Sequence, residues 1–270
     1  GFYDRINEAV MDILENEKMM NQKVIERYAR KHRVCPFEFS IEVAYAVDAI
    51  ICDYNYIFDP RVSLKRLMED QKKKTAILVD EAHNLVDRAR EMYSAEIHKS
   101  AFLQLKREFK TGSLAASAKA INDHLLEVKK SEDYLRKDMD TDLVALCETF
   151  ITEAEAELVQ NEHELLLDTY FAVKNFVKIA ELYNDQFVTY IEVHKSEVRM
   201  KLFCLDPSEQ ILKMGKGFKG RVFFSATLHP AGYYKDLLGG QSDDYVVPIP
   251  SPFARENIEV IIQPLSTRYR

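Results

Sequence analysis

The run Ile77-Leu78-Val79-Asp80-Glu81-Ala82-His83-Asn84 sets two adjacent carboxylates directly behind a short apolar stretch. The stretch Ala76-Ile77-Leu78-Val79 is rich in β-branched residues and reads as a strand buried on both faces of a parallel sheet. Asp80 and Glu81 then fall at its C-terminal end, the edge where open α/β sheets bind ligands. A nucleotide triphosphate site needs such a pair. One carboxylate holds Mg2+, mainly through water, because magnesium keeps most of its hydration shell. The other orients and deprotonates the attacking water. Phosphoryl transfer asks mostly for positioning and charge neutralisation, so this strand needs to supply little else. A strand that ends in acidic residues at a turn is also common without any chemistry, and the pair therefore needs support from elsewhere in the chain.

Ser225-Ala226-Thr227-Leu228 follows a second apolar run, Val222–Phe224, and so lies at a sheet's ligand edge as well. Alone, such a Ser-x-Thr is more often a turn or a helix cap. Asp53-Tyr54-Asn55-Tyr56-Ile57-Phe58-Asp59-Pro60 follows a third run, Ala49-Ile50-Ile51-Cys52, also expected to be a buried strand. This segment is either a tyrosine-rich turn stopped by proline or an aromatic surface on which single-stranded bases stack. Lys72-Lys73-Lys74 and the basic stretch Lys213 to Arg221 read as solvated loops. The latter does not match the phosphate-loop pattern G-x-x-x-x-G-K-S/T.

The elements that must position these residues have three textures. Up to about Asn84, helices alternate with short strands. The first helix carries Ile6, Val10, Ile13 and Leu14 on one face, the second runs from Asn21 to Lys31, and a third is expected around Val62–Glu69. From Met92 to Asp185 the pattern is almost purely helical, with Leu143, Leu146, Phe150, Ala154 and Leu158 at helical spacing and no proline between Pro60 and Pro207. From Phe187 strands return. Val188–Val193 and Val198–Leu205 can pair across His194-Lys195-Ser196-Glu197. A helix near Tyr233–Leu238 is stopped by Gly239-Gly240, and Ile258–Ile262 is again strand-like.

Charge and cysteines narrow the partners. The net charge of −7 is concentrated: between Glu132 and Asp168 there are 12 acidic and 2 basic residues, which leaves 32 acidic and 35 basic elsewhere. One acidic, solvated block on the helical insert hides a mildly basic remainder that can meet DNA. Cys35, Cys52, Cys147 and Cys204 are widely spaced and contain no C-x-x-C pair, so neither a disulfide framework nor a self-contained zinc site is indicated. A reducing, cytosolic setting follows. No stretch approaches the roughly 20 apolar residues that cross a bilayer.

Asp80-Glu81-Ala82-His83, extended by Asn84, resembles the DEAH box of XPD/Rad3/DinG-like superfamily 2 iron–sulfur DNA helicases, and Ser225-Ala226-Thr227 resembles their SAT motif. The resemblance covers nearly the whole chain, whereas the chain covers only the middle of the family architecture. It implies an α/β fold: a partial RecA-like parallel-sheet motor domain with an inserted all-helical arch-like domain. The expected divisions are 1–36 for the end of the iron–sulfur-type helical segment and 37–94 for the first motor domain with the DEAH strand. They continue with 95–190 for the arch-like insertion, 191–250 for the returning motor with the SAT strand, and 251–270 for a linker and the start of a second motor domain.

By the same resemblance, Asp80 positions Mg2+, Glu81 activates water and His83 links the γ-phosphate site to the rest of the motor. Ser225, Ala226 and Thr227 relay nucleotide state to DNA-bound parts, and Tyr54, Asn55 and Tyr56 lie near the DNA path. Cys35, followed by Pro36, resembles the fourth ligand of a [4Fe-4S] cluster whose other three ligands precede Gly1. The implied activity is that of an ATP-dependent helicase moving 5′ to 3′ on single-stranded DNA, in a DNA-repair setting, with ATP and Mg2+ as cofactors. A protein partner on the arch is possible, and no membrane is involved. The expected location is a bacterial-type cytosol, or the nucleus if the protein is eukaryotic. Since no phosphate-binding loop occurs in the sequence, the isolated chain is not expected to hydrolyse ATP. The alternative is a non-enzymatic remnant that binds DNA or protein through its helical insert.

Overall fold

A computed structural model describes residues 2–62, 64, 71–130 and 134–264. The chain opens with a small helical unit: α1 (Phe2–Asn16), α2 (Gln22–His32) and α3 (Pro36–Ala44). The face expected on the first helix is the one that packs. Ile6, Ala9 and Ile13 meet Ile25, Tyr28, Phe39 and Val43 in a core of their own. Asn21 caps α2 by accepting the Val24 N–H at 3.1 Å, which satisfies one of the backbone donors orphaned at a helix start.

The short helix α4 (Asn55–Phe58) leads toward β1 (Ala76–Val79), which delivers the acidic pair into α5 (Ala82–Met92). The strand β1 pairs in parallel with β6 (Gly220–Phe223), with Ala76 opposite Gly220 and Val79 opposite Phe223. The two sequence motifs therefore leave the same edge of one sheet, although 144 positions separate Glu81 from Ser225. Lys72, expected in a solvated loop, instead donates from Nζ to the Met214 carbonyl at 2.7 Å and lies over the Phe218 ring. It ties the lead-in of β1 to the lead-in of β6.

Burial of these strands is one-sided. Ile77 and Val79 are buried, while Leu78 is 71% exposed and Val222 50% exposed. Continuous apolar runs predict burial on both faces, but no described element lies over the Leu78 face. The same explanation corrects two other expected strands. Ala49–Cys52 and Ile258–Ile262 form no ladder, and Ile51 is fully exposed, because among the described residues no neighbouring strand takes up their backbone groups. The helix expected over Val62–Glu69 lies largely outside the described residues.

The insert contains α6 (Lys99–Phe109), α7 (Ser113–Lys130), α8 (Thr141–Leu158) and α9 (Glu164–Ala180). These helices pack on a four-stranded antiparallel sheet of order β2-β5-β4-β3, made of β2 (Ala95–His98), β3 (Leu135–Arg136), β4 (Phe187–His194) and β5 (Glu197–Cys204). The insert is thus helices on a sheet rather than helices alone. The expected hairpin is β4–β5, turned at Lys195, whose φ of 56° supplies the left-handed turn residue that a two-residue loop requires. Its ladder continues into β2 and β3, not into β1 or β6.

Val198, Met200, Leu202 and Cys204 alternate inward along β5 and are fully buried. They join Phe102, Phe150 and Phe176 from the helices in one core that continues into Phe58 of α4, Val79 of β1 and Leu85 of α5. Finally, α10 (Ser208–Gly215) precedes β6, and α11 (Ala231–Leu237) follows it.

Candidate nucleotide-hydrolysis site

At the end of β1 the chain turns sharply. Glu81 adopts φ 46° and ψ 42°, a left-handed conformation that a non-glycine residue holds at a cost of roughly 1–2 kcal/mol. Contacts on either side fix the turn. The Phe224 N–H donates to the Val79 carbonyl at 2.9 Å, and the Ala82 N–H donates to the Phe224 carbonyl at 3.1 Å. The Glu81 N–H donates to Asp80 Oδ1 at 2.7 Å, and among the described residues the second Asp80 oxygen has no hydrogen-bond partner. Asp80 and Glu81 are exposed, Ala82 is fully buried and His83 is half-buried at the start of α5.

The left-handed turn carries the Glu81 carboxylate toward the second motif. Ser225 Oγ donates to Glu81 Oε2 at 3.0 Å. His83 Nδ1 lies 2.8 Å from Ser225 Oγ, 3.1 Å from Thr227 Oγ1 and 3.3 Å from Glu81 Oε2. The Thr227 N–H donates to Ser225 Oγ at 3.2 Å. A serine hydroxyl has one proton and two lone pairs. With the proton given to Glu81, the lone pairs accept the Thr227 N–H and the Nδ1–H of His83. This arrangement places an imidazole proton on Nδ1.

Tyr54 contributes something that sequence reasoning missed. Its hydroxyl lies 2.6 Å from the Asp80 carbonyl and 3.0 Å from the Glu81 carbonyl, donating to the acidic turn. Burial raises its pKa above the usual phenol value, and the nearby carboxylates of Asp80, Glu81 and Asp53 add to the rise. Asn55 and Tyr56 are half-buried on α4, and Ala226 is exposed between the two hydroxyl residues. Cys35 is exposed at the N-cap of α3, with Pro36 behind it at the first helical position.

Chemically, the edge offers the second Asp80 oxygen for a hydrated cation and a second carboxylate held by a serine and a histidine. Among the described residues no group of three or more His, Cys, Asp or Glu gathers into a metal cage. The acidic pair suits Mg2+, which takes one or two protein carboxylates and completes its shell with water and phosphate. An iron–sulfur cluster takes four cysteine thiolates, and the cysteines do not gather into such a set among the described residues. Cys52 is exposed, whereas Cys147 and Cys204 are buried, and their thiols are pushed up to about 12 by burial. No step is derived through such a cluster.

The family model described as DEAD_2 matches residues 2–102, which include the acidic turn. The Fanconi anemia group J protein homolog of Gallus gallus is 34% identical over 79 residues, covering 29% of this chain and 6% of that protein. The Regulator of telomere elongation helicase 1 homolog of Aedes aegypti is 27% identical over 157 residues, covering 57% of this chain and 15% of the relative. The chain thus corresponds to a small fraction of the length of these relatives. In fold it is similar to a solved structure described as XPD_Helicase, with a TM-score of 0.55, 15% identity, and coverage of 81% of this chain and 39% of that one. A structure described as Truncated XPD gives a TM-score of 0.50 at 14% identity, covering 80% of this chain and 62% of the other. No helix among the described residues is long and apolar enough to cross a membrane.

Proposed function

We propose that this chain, a segment of an XPD/Rad3-like superfamily 2 helicase, carries the Mg-ATP hydrolysis edge of a DNA-unwinding motor together with the arch-like insert. The observation that carries the reading is the convergence of Glu81, His83, Ser225 and Thr227 at one end of the β1–β6 pair.

In this reading Asp80 holds hydrated Mg2+ through the oxygen not used by the Glu81 N–H. Glu81 orients and deprotonates the attacking water. His83, Ser225 and Thr227 sense whether that carboxylate is engaged and pass the state along β6. The cation's part, when bound, is to neutralise developing phosphate charge. Hydrolysis also needs phosphate-binding groups and a second motor domain supplied by the parent protein, so the isolated chain is proposed to be inactive.

Single-stranded DNA is the proposed substrate, tracked 5′ to 3′, with Asn55 and Tyr56 along its path. The insert is the proposed seat of any protein partner. Cys35 is a proposed cluster ligand in the parent only. The named relatives are animal proteins, which supports the nucleus as the location over a bacterial cytosol.

The test is a strand-displacement assay of the full-length protein, wild type against Glu81→Gln. The amide keeps the shape of the side chain and removes its basicity, so unwinding falls on the order of a hundred-fold or more. Equal unwinding ends the assignment.

A further inference from the structure

Resting on the hydrolytic reading of Glu81, we infer that Tyr54 is a positioning residue for that carboxylate, acting through the backbone of the acidic turn rather than on nucleic acid. In an extended strand, successive carbonyls point to opposite sides. Tyr54 nevertheless donates one hydroxyl proton toward two successive carbonyls, those of Asp80 and Glu81, at 2.6 and 3.0 Å. Both face one donor because Glu81 between them leaves the extended region, here for the left-handed helical one. The phenol thus rewards the backbone state that aims the Glu81 side chain at Ser225. Without the hydroxyl the turn is free to relax toward extended geometry, and the carboxylate swings off the edge.

The clamp is effective because its own base is fixed. Asp53 Oδ1 accepts the Asn55 N–H at 3.0 Å, shaping the turn into α4. Phe58, at the other end of α4, is buried, and its carbonyl accepts the Tyr93 hydroxyl at 2.6 Å. Just beyond, the Pro60 carbonyl accepts Lys178 Nζ of the insert helix α9 at 2.9 Å. One short segment therefore touches the acidic turn at its start and the insert at its end. A ring committed in this way has its hydroxyl bonded to the chain's own backbone, which a base-stacking tyrosine does not need.

The experiment compares wild type, Tyr54→Phe, Tyr54→Leu and Glu81→Gln in the full-length helicase, measuring DNA-stimulated ATP hydrolysis and single-stranded DNA affinity. Phenylalanine keeps the ring and its packing and removes only the hydroxyl. The expected result is a fall in kcat on the order of ten- to a hundred-fold in Tyr54→Phe, with KM for ATP and Kd for DNA within about two-fold of wild type. Hydrolysis in Glu81→Gln is lost. Wild-type kcat in Tyr54→Phe with hydrolysis lost in Glu81→Gln overturns the positioning role and leaves the hydrolytic reading standing. Weaker DNA binding in Tyr54→Leu, with kcat restored at saturating DNA and phenylalanine fully active, assigns Tyr54 to base stacking and also overturns it. Full hydrolysis in Glu81→Gln removes the hydrolytic reading itself, and the inference with it.

Discussion

His83 Nδ1 and Ser225 Oγ lie 2.8 Å apart although 142 positions separate them in the chain. This bond joins the acidic turn after β1 to the hydroxyl turn after β6. In the proposed motor this pairing assigns the His83–Ser225–Thr227 group a role distinct from that of Asp80 and Glu81, transmission rather than chemistry.

Transmission makes a separable prediction. In the full-length protein, Ser225→Ala and His83→Ala are expected to retain much of the ATP hydrolysis and to lose unwinding by on the order of ten-fold or more, a split not shown by Glu81→Gln. Because the two residues share one bond, the double variant should be little worse than either single variant, with a coupling of at least about 1.4 kcal/mol in a double-mutant cycle. Strictly additive losses would mean that they act independently.

How far the sequence foretold this arrangement depends on whether the signal was local. The strand ends at Asp80 and Ser225 were legible because a β-branched run followed at once by polar residues defines both an element and its edge. The β4–β5 hairpin was legible from its alternation about a four-residue polar turn. Ala49–Cys52 and Ile258–Ile262 have the same apolar texture as β1 and yet form no ladder, since a run states what could be buried and not whether a neighbour is there to bury it. β2 and β3, at four and two residues, were hidden inside a helical pattern too long to betray them. The Tyr54 hydroxyl had no sequence signal at all, because its partners are main-chain carbonyls 26 and 27 positions away.

The insert carries a pH-sensitive pair. His124 Nε2 lies 2.8 Å from Asp140 Oδ2 at the N-cap of α8, where Asp140 Oδ1 also accepts the Leu143 N–H at 2.9 Å. The Asp140 bond raises the His124 pKa above its ordinary 6.5, against burial. Burial works to raise Asp140, but the bonds from His124 and the Leu143 N–H outweigh it and hold the carboxyl below its ordinary 3.8. A raised histidine stabilises fully below 6.5 and loses that contribution as pH climbs through its folded value. A depressed carboxylate stabilises fully above 3.8 and loses it as pH falls through its folded value. The pair is therefore most stabilising between 3.8 and 6.5. His124→Gln should cost roughly 1–2 kcal/mol in that window and much less in alkaline solution. Thermal unfolding of the chain across pH measures this, and a cost that does not change with pH would contradict it.

The segment between α4 and α9 is held by an ion pair whose carboxylate is buried and whose guanidinium is partly exposed. Asp59, 4% exposed, accepts Arg61 Nη2 at 2.6 Å and Nε at 2.9 Å, and Arg61 Nη1 also reaches Asn175 Oδ1 of α9 at 3.3 Å. Arg61→Ala leaves the Asp59 carboxylate with only the Arg61 backbone N–H, 2.8 Å from Oδ1, and should destabilise the chain by roughly 1–2 kcal/mol. The double replacement Asp59→Leu with Arg61→Ala should recover part of the loss. Chemical denaturation reads both, and a neutral single variant would show that the pair is not what fixes this segment.

Within the insert, Phe102 and Phe150 meet edge to face at 5.4 Å, and both are buried between helices α6 and α8. Phe150→Ala removes this contact and opens a cavity at a site closed on every side, at an expected cost of roughly 3–5 kcal/mol. Hydrogen exchange should show the loss in the protection of α6 and α8 before that of α1 and α2, whose core is separate. Uniform loss would mean that the two cores unfold together.

The most direct test of the central claim is single-turnover ATP hydrolysis by the full-length protein carrying Glu81→Gln, with ATP binding measured in parallel. The account predicts that nucleotide and single-stranded DNA still bind while hydrolysis slows by on the order of a hundred-fold or more. Hydrolysis at the wild-type rate would contradict it.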